Sequence, residues 1–179
     1  MYKFEYSLTD SDYIKFNIFH TFNSKSGKKN MLTLRLIVPV ILFFILFIPL
    51  INKENRDIIF FSSTIFIYLV SSIICFFLAK HFQIYFIKKM VKRIKKDGKL
   101  PYGKNNLIKF DQNFIYEVND KIETKTKYTV LENIMVDDNA IYIYFSAIQA
   151  YIIPFRVFEN DEQKEAFLEF INDKIKSNN

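Results

Sequence analysis

The sequence predicts an α+β membrane protein in which a two-helix transmembrane hairpin is followed by a small antiparallel β domain closed by a C-terminal helix. Three patterns predict this fold: two long apolar runs, a change of hydrophobic period from 3.6 to 2 near residue 107, and a return to helical spacing near the end. The 179 residues leave room for a membrane anchor and one compact module. With 50% hydrophobic residues and only 3 Gly, the chain is neither disordered nor fibrous in composition.

The two apolar runs predict transmembrane helices over residues 31–51 and 58–79. About 20 helical residues cross a hydrocarbon core of about 30 Å. The first run reaches that length if Arg35 snorkels toward the membrane surface, and no ionised side chain follows Arg35 in either run. Two core helices of a soluble protein are the alternative, but two such runs are excessive for so short a chain. The polar link 52–57 makes the pair a hairpin.

Basic residues predict the orientation of this hairpin. Four lie before Leu36, where the uninterrupted part of the first apolar run begins: Lys25, Lys28, Lys29 and Arg35. Eight follow the second helix: Lys80, Lys88, Lys89, Lys92, Arg93, Lys95, Lys96 and Lys99. The link has only Lys53 and Arg56. By the positive-inside rule both termini are expected in the cytoplasm of a bacterial cell whose plasma membrane holds the two helices.

A basic juxtamembrane helix is predicted over residues 80–97, continuing the second transmembrane helix to a stop at Gly98. An apolar stripe follows helical spacing: Ile87, Met90, Val91 and Ile94. The candidate site for anionic lipid at the membrane surface consists of six cations: Lys88, Lys89, Lys92, Arg93, Lys95 and Lys96. The alternative is that the stripe packs on protein and the lysines are merely solvated. A nucleic-acid site is not expected, because no aromatic stacking platform accompanies the cations.

The β domain is predicted over residues 105–177. The clearest amphipathic strand is Ile122 to Val130, where apolar or Thr side chains alternate with charged ones. Shorter strand candidates surround it: 107–110, 113–118, 132–136, 140–145 and 148–153. Asn160 is the expected cap of the closing helix. Sequential strands joined by short turns, followed by one helix, are typical of a PH-like barrel or meander.

Residues 1–30 are predicted to form a cytoplasmic strand and a short helix. Tyr2, Phe4 and Tyr6 alternate with charged residues, which is typical of a half-buried strand. The meander is one strand short of a comfortable barrel and would leave an edge open, so we expect residues 2–8 to pair with it. The helix from Asp10 to Phe22, capped by Thr9 or Asp10, is then expected at the membrane surface.

This layout resembles the YcxB-like family of bacterial membrane proteins. The resemblance rests on the segments Tyr142-Ile143-Tyr144 and Ile153-Pro154-Phe155-Arg156-Val157-Phe158, together with the order of two membrane helices, basic stretch, meander and final helix. It implies two transmembrane helices and a PH-like C-terminal domain. It implies no mechanism.

Nothing in the sequence indicates chemistry. It contains no Gly-rich phosphate loop, nucleophile elbow or HExxH motif. Cys75 lies in an apolar run, and His20 and His81 flank the membrane segments, where an interfacial position explains them better than a shared metal. We therefore expect no enzyme, cofactor or metal.

Two function classes stay open. The first is a membrane-tethered module whose domain binds a protein or a lipid headgroup. The second is self-protection against a membrane-active bacteriocin or peptide, as known for some related proteins. Membrane lipids, an unidentified protein and further copies of the chain through the transmembrane helices are the expected partners.

Overall fold

The computed structural model describes residues 1–48, 57–103, 105–120 and 122–177. It divides into two compact units. The first, here called the β domain, combines Met1–His20 with Met90–Asn179, and the second, the hairpin unit, is Thr21–Lys89. The chain therefore starts in the β domain, leaves it for the hairpin unit and returns to it.

Four helices and seven strands are described. The helices are α1 (Asp10–Asn23), α2 (Lys25–Phe47), α3 (Ile58–Lys96) and α4 (Asp161–Lys176). The strands are β1 (Tyr2–Tyr6), β2 (Asn106–Phe110), β3 (Phe114–Val118), β4 (Glu123–Lys127), β5 (Asn133–Val136), β6 (Ala140–Tyr144) and β7 (Ala150–Pro154). Single 3-10 turns occur at Tyr128–Val130 and Phe155–Val157.

In the hairpin unit, α2 and α3 are long and apolar enough to cross a membrane by length and composition. Only 6% of the most apolar 18-residue stretch of each helix is buried, which distinguishes them from the core helices of a soluble protein. Aromatic contacts between them follow an antiparallel order: Phe47 on α2 lies 6.4 Å from Phe61 on α3, and Phe43, one turn earlier, lies 5.9 Å from Tyr68. The predicted end of the first helix at Ile51 and most of the link lie outside the described residues.

Helix α3 is one unbroken helix of 39 residues. At 1.5 Å per residue it is about 58 Å long, roughly twice the thickness of a hydrocarbon core. Its stop is a Schellman motif, in which Gly98 has a φ of +67° and donates to Lys95, while Lys99 donates to the Ile94 carbonyl. A helix of this length that crossed such a core would have about 30 Å left beyond it.

The strands form two open antiparallel sheets, ordered β1-β2-β3-β4 and β5-β6-β7. Consecutive strands are neighbours in each sheet, as expected for a meander, but no closed barrel is found among the described strands. The two sheets separate where the 3-10 turn at Tyr128–Val130 interrupts the extended chain between β4 and β5. A 3-10 turn closes its hydrogen bond locally and so leaves no ladder there.

Strand β1 pairs antiparallel with β2, from Tyr2 opposite Phe110 to Tyr6 opposite Asn106. The pairing expected from the alternation at the N-terminus is therefore present. Both membrane-type helices are inserted in the connection between these two adjacent strands. This insertion makes the β domain discontinuous in sequence.

The main core lies between the two sheets and α4. Its fully buried members include Phe110, Ile141, Ile153 and Phe167, each at 0% exposure. Helix α4 begins as predicted, with the Asn160 side chain accepting a hydrogen bond from the Gln163 amide at 2.8 Å.

A second core covers the opposite face of β6. Ile141 and Ile143 face the main core, whereas Tyr142 and Tyr144 join a cluster with Phe16 of α1. Strand β6 is consequently buried along its whole length. Helix α1, which we expected at the membrane surface, packs on this sheet through Phe16, which is 6% exposed.

The segment from Ile122 to Val130 differs from the half-buried strand that its alternation predicts. Strand β4 covers only Glu123–Lys127, and Ile122 and Val130 are 42% and 49% exposed. Tyr128 is buried in the following turn and donates its hydroxyl to the Asp111 carbonyl at 2.8 Å. The charged residues fit an edge strand, where Lys side chains discourage pairing with other chains.

Candidate membrane-surface site

Helix α3 carries all six candidate cations, and every one is exposed. They occupy its last three turns: Lys88, Lys89, Lys92, Arg93, Lys95 and Lys96. Cations in the last turn also interact favourably with the helix dipole. Apart from Lys95, none forms an ion pair within the described parts of the chain.

The apolar stripe beside these cations is largely taken up by protein contacts. Ile87 and Val91 are 6% and 1% exposed, and Ile94 is half-buried. Met90 differs, because 43% of its surface is exposed. The stripe that we expected against lipid is thus buried at two of its four positions, which supports the alternative for those two.

A different face of α3 is apolar and exposed. Phe82, Tyr85 and Phe86 are 56–59% exposed, and Met90 continues this face one turn later. Lys89 places its ammonium 5.9 Å from the Tyr85 ring centroid. Aromatic side chains with cations one turn away are typical of the headgroup level of a membrane.

Lys95 is held by the β domain. Its ammonium pairs with Asp10 at 2.5 Å, and the Tyr102 hydroxyl donates to the other oxygen of that carboxylate at 2.9 Å. The hydrogen bonds from Lys95 and Tyr102 lower the pKa of Asp10. Burial and the bond to Asp10 raise the pKa of Tyr102. This small network ties the end of α3 to the start of α1, so five cations are left for an external ligand.

Asp12, also in the first turn of α1, pairs with Arg156 in the 3-10 turn that follows β7. Arg156 donates two hydrogen bonds to the Asp12 carboxylate at 2.9 and 2.7 Å, and a third to the Ser7 carbonyl at 2.8 Å. Asp12 also accepts from the Thr9 amide at 2.8 Å, and its own amide donates to the Thr9 hydroxyl at 3.2 Å. Thr9 and Asp12 form a capping box, so Thr9 is the cap of α1.

The Asp12–Arg156 pair is only partly accessible, with 11% of the Asp12 side chain exposed. Partial burial would raise the pKa of Asp12, but the hydrogen bonds from Arg156 and Thr9 outweigh it and lower that pKa. The two residues are 144 positions apart, and sequence reasoning did not join them. The only local signal was an acid three residues after a Thr, which predicts a cap and no distant partner.

The described residues show no clustering of His, Cys, Asp and Glu that could hold a metal ion. His20 lies against β6, with Nδ1 3.3 Å from the Tyr144 hydroxyl, and burial lowers its pKa. The interfacial position expected for His20 stays a prediction. His81 is exposed on α3.

Two membrane-type helices inserted into a two-sheet β domain define the class: a candidate membrane protein with a small β module. The family model described as YcxB-like protein matches residues 110–171, from the last residue of β2 into α4. The segment is similar to the YcxB-like domain, and the resemblance inferred from the sequence is confirmed for these residues. No curated protein and no solved structure matches the chain. The family match does not include β1 or α1.

Proposed function

We propose that this protein is a non-catalytic, integral membrane protein that presents its β domain at the cytoplasmic face of the plasma membrane for binding to lipid headgroups or a protein. The observation that carries the proposal is α3, a single helix whose first part exposes apolar residues and whose last three turns expose cations. A helix of about 58 Å cannot be contained in a core of about 30 Å. It therefore reaches from the bilayer into the β domain.

Both termini belong on one side of the membrane under this proposal. Met1–His20 and Met90–Asn179 form one compact unit, and β1 is hydrogen-bonded to β2. Two chain segments that share a sheet cannot be separated by a bilayer. The basic residues next to both helices favour the cytoplasmic side.

A PH-like fold is the finer assignment that we propose for the β domain. It is supported by one sheet of four strands, a second of three strands and a single C-terminal helix packed into the core through Phe167 and Ile171. Such modules use their exposed surfaces for binding, which agrees with a non-catalytic role.

Contact with anionic lipid is the proposed role of the exposed cations of α3. Each Lys or Arg near a negatively charged leaflet contributes about 1 kcal/mol, and five of the six candidates are unpaired within the described residues. The exposed aromatic face from Phe82 to Phe86 would lie at the same level. The buried Ile87 and Val91 fix the rotation of the helix that presents this face.

The orientation is tested by cysteine labelling in intact cells, in a C75A background. We expect an impermeant maleimide to label N55C in intact cells, and S11C and N139C only after lysis. Labelling of S11C or N139C in intact cells, with N55C unlabelled, would overturn the orientation.

The lipid contact is tested with a single fluorescent reporter, because the chain contains no Trp. M90W places Trp on the exposed face of α3, and E165W places one on the exposed side of α4 as a control. In nanodiscs of brominated anionic lipid, we expect quenching of M90W that weakens in high salt, where the Debye length is about 3 Å at 1 M. The control should stay unquenched. Equal quenching of M90W in neutral and anionic discs would reduce the cluster to a topology signal.

A further inference from the structure

The hairpin unit contains one arginine within its apolar stretch whose surroundings suit a phosphate. Arg35 lies on the third turn of α2, and its Nε atom is buried without a hydrogen-bond partner among the described residues. A buried guanidinium donor that lacks a partner is costly, and more so in a lipid environment. Arg35 as a whole is half-buried, and because Nε itself is covered, an outside acceptor would reach the guanidinium through its terminal N–H groups.

On the neighbouring helix α3, Phe76 stacks against the flat face of the Arg35 guanidinium. The guanidinium carbon of Arg35 lies 4.7 Å from the ring centroid of Phe76 on α3. Stacking uses the face of the guanidinium and leaves the N–H groups at its edge able to donate. Ser72 lies one turn before Phe76 on the same side of α3, and its hydroxyl is also buried without a hydrogen-bond partner in the described structure.

Among the described residues of the hairpin unit, no carboxylate lies at this level. Between Asp12 and Asp97 the sequence contains only two acidic residues, Glu54 and Asp57. Asp57 directly precedes α3 and lies about 28 Å along the helix axis from the level of Phe76. Arg35 therefore cannot pair with it. The described residues of the hairpin unit therefore supply no anion for Arg35.

A second cation belongs to the same region of α3. Lys80 follows Phe76 by one turn, is exposed, and places its ammonium 5.7 Å from the Phe22 ring centroid. An arginine that binds an anion through paired N–H groups, with a lysine nearby as a point charge, is a typical arrangement for phosphate. Since α2 and α3 are the helices proposed to span the membrane, the phosphate at hand is that of a phospholipid.

We propose that Arg35 binds the headgroup phosphate of an anionic phospholipid in the groove between α2 and α3, with Phe76 orienting its guanidinium and Ser72 as a second donor. This inference rests on the proposed membrane location. It assigns a lipid site distinct from the cation cluster at the end of α3, because it uses one partly buried arginine rather than a row of exposed charges.

The test uses the full chain in neutral detergent, with native mass spectrometry for bound lipid and circular dichroism for the melting temperature. Added phosphatidylglycerol should give at least one retained lipid and a melting temperature about 5 °C higher or more. Diacylglycerol, which lacks the phosphate, and inorganic phosphate at the same concentration should give neither effect. An equal rise with inorganic phosphate would overturn the lipid assignment.

Variants locate the effect. R35Q should lose the retained lipid and the rise, whereas K127Q, which removes one charge from an exposed edge strand, should keep both. R35K keeps the charge but loses the paired donors, so phosphatidylglycerol should raise its melting temperature by less than that of the wild type. This variant also replaces R35Q as the test if R35Q does not fold. A full response in R35Q, or in R35K when R35Q cannot be made, overturns the proposal.

Carbonate extraction of membranes from cells that express the protein distinguishes failure of the Arg35 site from failure of the proposed membrane location. A chain that stays in the membrane with an unchanged lipid response in R35Q refutes only the Arg35 site. A chain that is extracted from the membrane refutes the membrane location itself.

Discussion

Replacement of Phe4 by Ala should unfold much of the β domain, although Phe4 lies outside the segment that the family model matches. Phe4 is 4% exposed in the main core. Its ring centroid lies 5.1 Å from those of Phe158 and Phe167, and 6.2 Å from that of Phe110. The side chain thus joins β1, β2, α4 and the segment before α4.

The size of the effect follows from burial and ring contacts. A buried Phe replaced by Ala typically costs about 3–5 kcal/mol, because transfer energy is lost and a cavity is left. With total stabilities of about 5–15 kcal/mol, this loss is a large part of what holds a domain together. At 1.4 kcal/mol per factor of ten, about 3 kcal/mol raises the population of the open state roughly a hundredfold.

Hydrogen exchange of the full chain measures this population directly, through the amides of β2 that pair with β1. We expect F4A to reduce their protection about a hundredfold or more. The matched control is E5A on the same strand. The Glu5 side chain is exposed and, among the described residues, forms an ion pair only with exposed Lys3, so E5A should change stability by about 0.5 kcal/mol or less. A loss of less than about tenfold in F4A, or equal losses in both variants, would refute the packing of β1 described above.

Three further predictions concern polar groups. In a double-mutant cycle, D12A and R156A should show a coupling of about 1–2 kcal/mol in chemical unfolding; additive effects would mean that the pair contributes no energy. N160A should cost about 1 kcal/mol and loosen the first turn of α4 in hydrogen exchange, unless another group replaces the cap. The pKa values of Asp10 and Asp12 are lowered in the folded state, so their contributions are present above about pH 4, the ordinary Asp pKa, and are lost as pH falls through the lowered values. Burial raises the pKa of Glu117, so the contribution of Glu117 to stability is most favourable at low pH. The difference in melting temperature between wild type and D12N should shrink as the pH falls from 7 to 3, because protonation removes the contribution of Asp12.

Features set by neighbouring residues could be predicted from the sequence. The apolar runs, the stop at Gly98, the Asn160 cap and the alternation of Tyr2 to Tyr6 each depend on a few adjacent positions. Hydrophobic period and capping chemistry act over one or two turns, so a single sequence reveals them. The pairing of β1 was also predictable, because the meander had an unpaired edge and the N-terminal strand was predicted on the same side of the membrane.

Features set by tertiary packing were not predictable. The alternation from Ile122 to Val130 looks half-buried, yet the 3-10 turn rotates Tyr128 into the core and leaves Val130 exposed. Helix α1 has a weak apolar face in sequence, and its contact with Tyr142 depends on the outer face of β6 being apolar as well. β-propensity reflects packing more than the backbone itself, so such reversals are expected.

The candidate site shows the same division. The exposure of the cations on α3 follows from their charge, but the choice of which apolar residues beside them are buried depends on the rotation of the helix. Val91 is buried and Met90 is exposed, although both fit the stripe drawn from the sequence. The ion pair of Lys95 with Asp10 joins positions 85 residues apart, and no local pattern indicates it.

The insertion of the hairpin between β1 and β2 leads to a last prediction, on the boundaries of the β domain. Residues 98–179 include the whole family match but lack β1 and α1. In that fragment the inner edge of β2 loses Phe4, and the outer face of β6, with Tyr142 and Tyr144, loses its cover Phe16. We expect it to aggregate or to melt without cooperativity.

Restoring the missing segment should restore the fold without the membrane helices. A fusion of residues 1–20 through a flexible Gly/Ser linker to residues 90–179 contains both cores and is expected to melt cooperatively. The same fusion with F4A is the control, since it has the full length but lacks the central side chain of β1. If residues 98–179 alone melted as cooperatively and at the same temperature as the fusion, β1 and α1 would be dispensable. In that case the domain would end where the family model does, and the membrane hairpin would be an appendage to it rather than an insertion within it.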